Sequence, residues 1–263
     1  MSTITDNSPA DGTPRGGPQT QLPTIFHVTH WKAGSTWLAR ILAKCTGERF
    51  IRPRKSPTHL VPHFLEDPIK PGGVYPRVYV TREEFESVDL PRHWRRFIVI
   101  RDLRDTLVSG YFSVKLSHRE NPMLAEDRAR LQELSQEAGL ASMLDHFMIT
   151  KSAEIQDSWV RAEVPLIRYE DLLRRDVPTL QWLLLERCEL PLERGRVRRI
   201  VQQCRFVRLS GGRARGEEDV SSHFRKGVQG DWRNYFSPEL KQAFKERWGK
   251  LLIATGYETD QNW

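Results

Sequence analysis

Cysteine is scarce in this chain of 263 residues, which holds only Cys45, Cys188 and Cys204. Three scattered thiols cannot form a disulfide framework, and no Cys or His pair has the spacing of a zinc site. That usage fits a reducing compartment, and the chain is read as cytoplasmic. Long apolar runs are missing too: the longest, at 97–100 and 182–185, fall far short of the roughly 18 residues that cross a bilayer. The first 23 residues, MSTITDNSPADGTPRGGPQTQLP, have no apolar stretch of the kind a secretory signal needs, and read as a disordered leader. A Walker A loop is also absent, because Lys32 precedes the only glycine of its loop instead of following a second one. An ATP-dependent kinase is disfavoured on that ground.

What is present is a globular composition. Hydrophobic residues make up 38% of the chain and there are eight Trp, enough apolar material for a sizeable core. Lys and Arg total 41 against 34 Asp and Glu, a net charge of +7. Arginine supplies 31 of the 41 basic residues, and its planar fork matches phosphate and sulfate. A nucleic-acid surface would interleave aromatics with such charge, yet the Arg-rich stretch 194–215 contains only Phe206.

Short apolar runs alternate with helical periodicity. Strands are expected at 24–28, 77–81, 96–100 and 164–168. Helices are expected from Ser35, over 102–118, from Asp171 to about Phe206, and over 238–255. This alternation predicts an α/β fold with a mostly parallel sheet flanked by helices. Residues 121–161 carry a helical pattern without strand signals and read as a helical insertion or cap. The Gly-rich stretch 210–231 is long enough to be a functional lid.

The first strand feeds Lys32-Ala33-Gly34-Ser35-Thr36 and then a helix, the layout in which backbone N–H groups and the positive helix end hold an anion. An ordinary N-cap by Ser35 is the plain alternative. Arg101 follows the third strand at the carboxyl edge of the sheet, where α/β folds bind ligands, with Ser109 eight residues on. That Arg could equally pair with Asp102 or Asp105. Tyr169 ends the last strand at the same edge, and Arg225-Lys226-Gly227 lies in the long loop.

In this order the four segments resemble the sulfotransferase family that uses 3′-phosphoadenosine 5′-phosphosulfate (PAPS). His30-Trp-Lys-Ala-Gly-Ser-Thr-Trp37 resembles its PKSGTTW loop. The segment from Ile100 to Phe112 resembles its 3′-phosphate segment, 168–171 its YED segment, and 224–232 its RKGxxGDW loop. The resemblance spans about residues 24–257 and implies a P-loop-NTPase-like, three-layer domain over 24–263. It also implies that PAPS donates sulfate, without a metal, to a small-molecule acceptor. Lys32, Ala33, Gly34, Ser35 and Thr36 would hold the sulfate and 5′-phosphate. Arg101, Ser109, Arg225, Lys226 and Gly227 would hold the 3′-phosphate, and Trp37, Tyr169 and Phe206 the adenine. Lys32 is the expected catalytic cation.

Two departures stand out. In the family a PRxxKTH strand supplies a histidine base, whereas Pro76-Arg-Val-Tyr-Val-Thr-Arg82 puts Arg82 there and Val80 at the lysine. Arginine cannot accept a proton. Glu83 is the first candidate base, with Glu84, His63 and His59 behind it. The family's dimer motif is not matched at 233–242, so no oligomer is carried over. A chain without a base would be a non-catalytic nucleotide-binding or regulatory protein of the same fold.

Overall fold

The computed structural model describes residues 22–52, 68–118, 122–162 and 164–263. The expected leader, His59 and His63 lie outside the described residues, apart from the last two leader positions. β1 (Thr24–Thr29) runs through a tight loop into α1 (Ser35–Thr46). β2 (Val74–Val78) leads to the short α2 (Arg82–Glu86), and β3 (Trp94–Ile100) to α3 (Leu103–Phe112), which continues as a π-turn over Ser113–Ser117. Three helices follow, α4 (Pro122–Glu133), α5 (Gln136–Ser142) and α6 (Phe147–Val160). After β4 (Leu166–Arg168) come α7 (Tyr169–Arg174), α8 (Asp176–Gln181), α9 (Arg194–Gln203), α10 (Phe206–Leu209) and the C-terminal α11 (Pro238–Ala254).

The four strands form one parallel sheet in the order β2-β1-β3-β4. Alternate residues of each strand face opposite sides. Ile25, Val74, Phe97 and Val99 join a core with α1, α8 and α9, while Phe26, Val28, Ile98 and Ile100 join one with α3, α6 and α11. The result is three layers with helices on both faces, as the alternation of short strands and longer helices predicts.

Two sequence expectations shift. Residues 122–160 are helical, but α6 does more than cap the sheet: Met148, Ile149, Ala153, Ile155 and Trp159 are core residues packed against it. The second strand lies over Val74–Val78 rather than 77–81, because Pro76-Arg77 forms a bulge opposite His27, between the Phe26–Tyr75 and Val28–Val78 pairings. Pro76 has no N–H for a ladder, which is tolerated because β2 is an edge strand. Arg77 takes a left-handed backbone with φ 56°.

Candidate active site

The carboxyl ends of parallel strands meet at one edge, and α1 begins there. Its N-cap is Gly34, at φ 76°, and no side chain caps the first turn. Ser35 is therefore the first helical residue and not the cap. Its hydroxyl instead meets the Tyr79 phenol at 2.8 Å. The first-turn N–H groups point into the loop mouth with the positive end of the helix dipole behind them. Lys32, also left-handed at φ 62°, projects its ammonium into the same space. Burial, reinforced by Arg101 and Arg225, pulls its pKa down to about 8. Among the described residues the ammonium has no hydrogen-bond or ion-pair partner.

Arg101 is 8% exposed and is held by its surroundings. It donates to the Lys32 carbonyl at 3.0 Å and the Val228 carbonyl at 3.2 Å, and lies 3.7 Å from Asp105. Its guanidinium stands 5.0 Å from the Tyr169 ring centre. His30 fixes its backbone: Nε2 accepts the Arg101 N–H at 3.0 Å, while Nδ1 donates to the Trp31 carbonyl at 2.9 Å. Burial holds His30 neutral, with its pKa lowered to about 3. Gln156 of α6 donates to both His30 Nε2 and the Arg101 carbonyl. Sequence reasoning missed this brace, although His30 stands within the quoted motif.

The loop 210–231 arrives from the other side. Asp105, buried in α3, accepts from the backbone N–H of Gly230 at 2.7 Å and of Trp232 at 2.9 Å, which anchors the loop's C-terminal end. Burial raises the Asp105 pKa against the opposing pull of Arg101. Arg225 pairs with Asp231 at 2.5 Å and with Glu218, and Lys226 pairs with Asp231 at 2.7 Å. Two glycines are required by contact. A Cβ on Gly34 would stand 2.6 Å from the Tyr169 ring, and one on Gly227 (φ 68°) 2.5 Å from Phe206. Trp37 meets Tyr169 edge to face at 6.3 Å.

These segments enclose one cavity of about 260 Å³. Lys32, Gly34, Ser35, Thr36, Trp37, Arg101, Ser109, Tyr169, Phe206, Arg225, Lys226 and Gly227 all line it. Ala33 is fully buried beneath the loop and does not. The cavity also takes Trp31, Arg77, Tyr79, His118, Met148 and His223, which the sequence does not single out as site residues. His223 Nε2 lies 3.2 Å from the Thr36 hydroxyl, and burial together with Lys32 pushes its pKa down to about 4. Among the described residues no cluster of three or more His, Cys, Asp or Glu could hold a metal, and no helix is long and apolar enough to cross a membrane.

Glu83 is the expectation this structure does not meet. Neither Glu83 nor Glu84 lines the cavity. Thr81 caps α2, and Glu84 closes a capping box by accepting the Thr81 N–H at 2.7 Å, then pairs with Lys151 at 2.8 Å. Glu83 sits exposed in the first turn, where hydrogen bonds from its own backbone N–H and from Thr81 lower its pKa. A proton acceptor tuned for neutral pH needs the opposite shift. Glu83→Gln is therefore expected to change kcat by no more than about twofold, the scale of a surface substitution. Steady-state kinetics on purified protein would check this.

The family profile described as "Sulfotransferase domain" matches residues 22–256. A flavonol 3-sulfotransferase of Flaveria bidentis is 27% identical, over 88% of this chain and 82% of its own length. Sulfotransferase 6B1 of Danio rerio is 24% identical over 93% and 83%. Mouse sulfotransferase SULT7A1, solved in complex with PAP, shares the fold with a TM-score of 0.59 at 21% identity, over 88% of this chain and 84% of that one. Retinol dehydratase, solved with retinol and PAP, follows with a TM-score of 0.52 at 16% identity, over 87% and 81%. With the profile matched across nearly all of its described length, this chain belongs to the sulfotransferase domain family.

Proposed function

We propose that this chain transfers a sulfuryl group from PAPS to a hydroxyl or amine of a small-molecule acceptor, the chemistry of the EC 2.8.2 class. The observation that carries this reading is the convergence of four separate segments on one cavity lined by five cations and, among the described residues, no carboxylate. Such a site suits a nucleotide with two anionic ends. The α1 N-terminus, Lys32, Ser35 and Thr36 take the 5′-phosphosulfate. Arg101, Ser109, Arg225 and Lys226 take the 3′-phosphate, and Trp37, Tyr169 and Phe206 enclose the adenine.

The acceptor oxygen or nitrogen attacks sulfur in line with the bridging oxygen. The new bond to sulfur forms as the bond to the 5′-phosphate oxygen breaks, and that oxygen gains negative charge. Lys32 and the loop amides stabilise it in place, so positioning and preorganised charge do most of the catalytic work. His118, an imidazole in the cavity wall, takes over the proton-accepting role expected of Glu83.

Transfer of labelled sulfate from PAPS to a panel of phenols, alcohols and amines tests the reading, alongside calorimetric PAP binding. PAP binding without transfer to any acceptor would favour the non-catalytic, regulatory alternative. The Lys32 ammonium also predicts a pH profile. With its free-enzyme pKa near 8, kcat/KM for PAPS is expected to fall as pH rises through that value, by about tenfold per unit at the limit. A profile flat to pH 10 would refute the role given to Lys32.

A further inference from the structure

Four of the five cavity cations are used by the donor in the proposed reading, and the fifth, Arg77, is left over. Its side chain has no hydrogen-bond or ion-pair partner among the described residues, and its Nε is buried and unpaired. Arg101, Arg225 and Lys226 all face carboxylates, so Arg77 differs from them in having no counter-charge among the described residues. Arg77 as a whole is half-buried, and a buried Nε–H with no acceptor is unfavourable. From an edge strand, moreover, a side chain could readily turn to solvent. The bulge and the left-handed backbone at φ 56° instead hold it in the cavity wall.

The wall beside it is flat and apolar. Trp31 and Tyr79 are stacked with ring centres 4.8 Å apart, and Phe147 meets Trp31 edge to face at 5.9 Å. Met148 lines the same cavity. The Tyr79 hydroxyl is already committed to Ser35, whereas the Arg77 side chain has donors to spare among the described residues.

We propose that Arg77 is an acceptor-binding residue that selects acceptors bearing an acidic group, a carboxylate above all, in addition to the hydroxyl or amine that takes the sulfuryl group. The planar fork binds the carboxylate in a bidentate pair, and the acceptor's body lies on the Trp31–Tyr79 wall. This inference rests on the sulfotransferase reading of the cavity, and its test separates the two.

The test compares 4-hydroxybenzoate with 4-methylphenol, which share ring and hydroxyl and differ in the charge. Both are titrated calorimetrically into nucleotide-free and PAP-loaded protein, and both are assayed with PAPS. The wild-type protein is expected to prefer the acid by about tenfold or more in binding and in kcat/KM. Arg77→Gln should erase that preference, and Arg77→Lys should retain part of it. A wild-type protein that binds both compounds equally overturns the proposal. So does an Arg77→Gln variant whose loss appears as weakened PAP binding, which would assign Arg77 to the donor. A preference for the acid that persists without any PAP binding or transfer would refute the sulfotransferase reading and leave the acid subsite standing.

Discussion

Lys32→Ala is expected to lower kcat by about two to three orders of magnitude, the usual loss when one preorganised charge at a developing oxyanion is removed. PAP affinity should fall much less, because Arg101, Arg225 and Lys226 remain. Stability separates this result from simple damage. The folded-state pKa of Lys32 is depressed from 10.5 to about 8, so the unfolded chain binds more protons between those values, and stability rises with pH across that window. Below pH 8 the charged side chain is a burden on the fold. The alanine variant should therefore melt no lower than wild type at pH 7. Single-turnover assays with thermal denaturation check both halves, and near-normal turnover would end the catalytic assignment.

Arg101→Ala should act in a different way, on donor binding and on the fold together. It removes the side-chain bonds to the Lys32 and Val228 carbonyls and leaves Asp105, fully buried, without its cation. Breaking a buried pair from one side costs about 3 kcal/mol or more, roughly 6–12 °C in Tm for a chain of this size. KM for PAPS should rise about 100-fold, the range for truncating a buried charge partner. Because burial already raises the Asp105 pKa and Arg101 opposes it, the variant's Asp105 takes up a proton more readily. Its stability deficit should shrink as pH falls from 8 towards 5. A deficit independent of pH would show that the Arg101–Asp105 pair carries none of the effect.

Much of the candidate site is legible in the sequence because its determinants are local. A left-handed glycine before a helix, an arginine at a strand end and a Gly-containing basic tripeptide are spelled out in consecutive residues. They stay together whatever the rest of the chain does. The base was not legible in that way. Glu83 is near the missing histidine only in sequence, and Thr81-x-x-Glu84 is itself a capping-box pattern, which marks those carboxylates as helix-start residues. Arg77 and Tyr79 reach the cavity only through a bulge that displaces the second strand from its expected span. His30 acts only through contacts with Arg101 and Gln156, 71 and 126 residues away. No periodicity reports such pairings.

The Asp105 anchor holds one end of the long loop. Gly230 and Trp232 are latched to a buried carboxylate, whereas Glu217, Glu218 and Val220 stand exposed on the far side of the tripeptide. The stretch before Arg225 is held by other contacts, from Arg213 to the Phe224 and Arg225 carbonyls and from Arg215 to the Leu173 carbonyl. In the proposed reading, the 3′-phosphate competes with Glu218 and Asp231 for the Arg225 guanidinium, so the loop brings its own anions to the place an anion must enter.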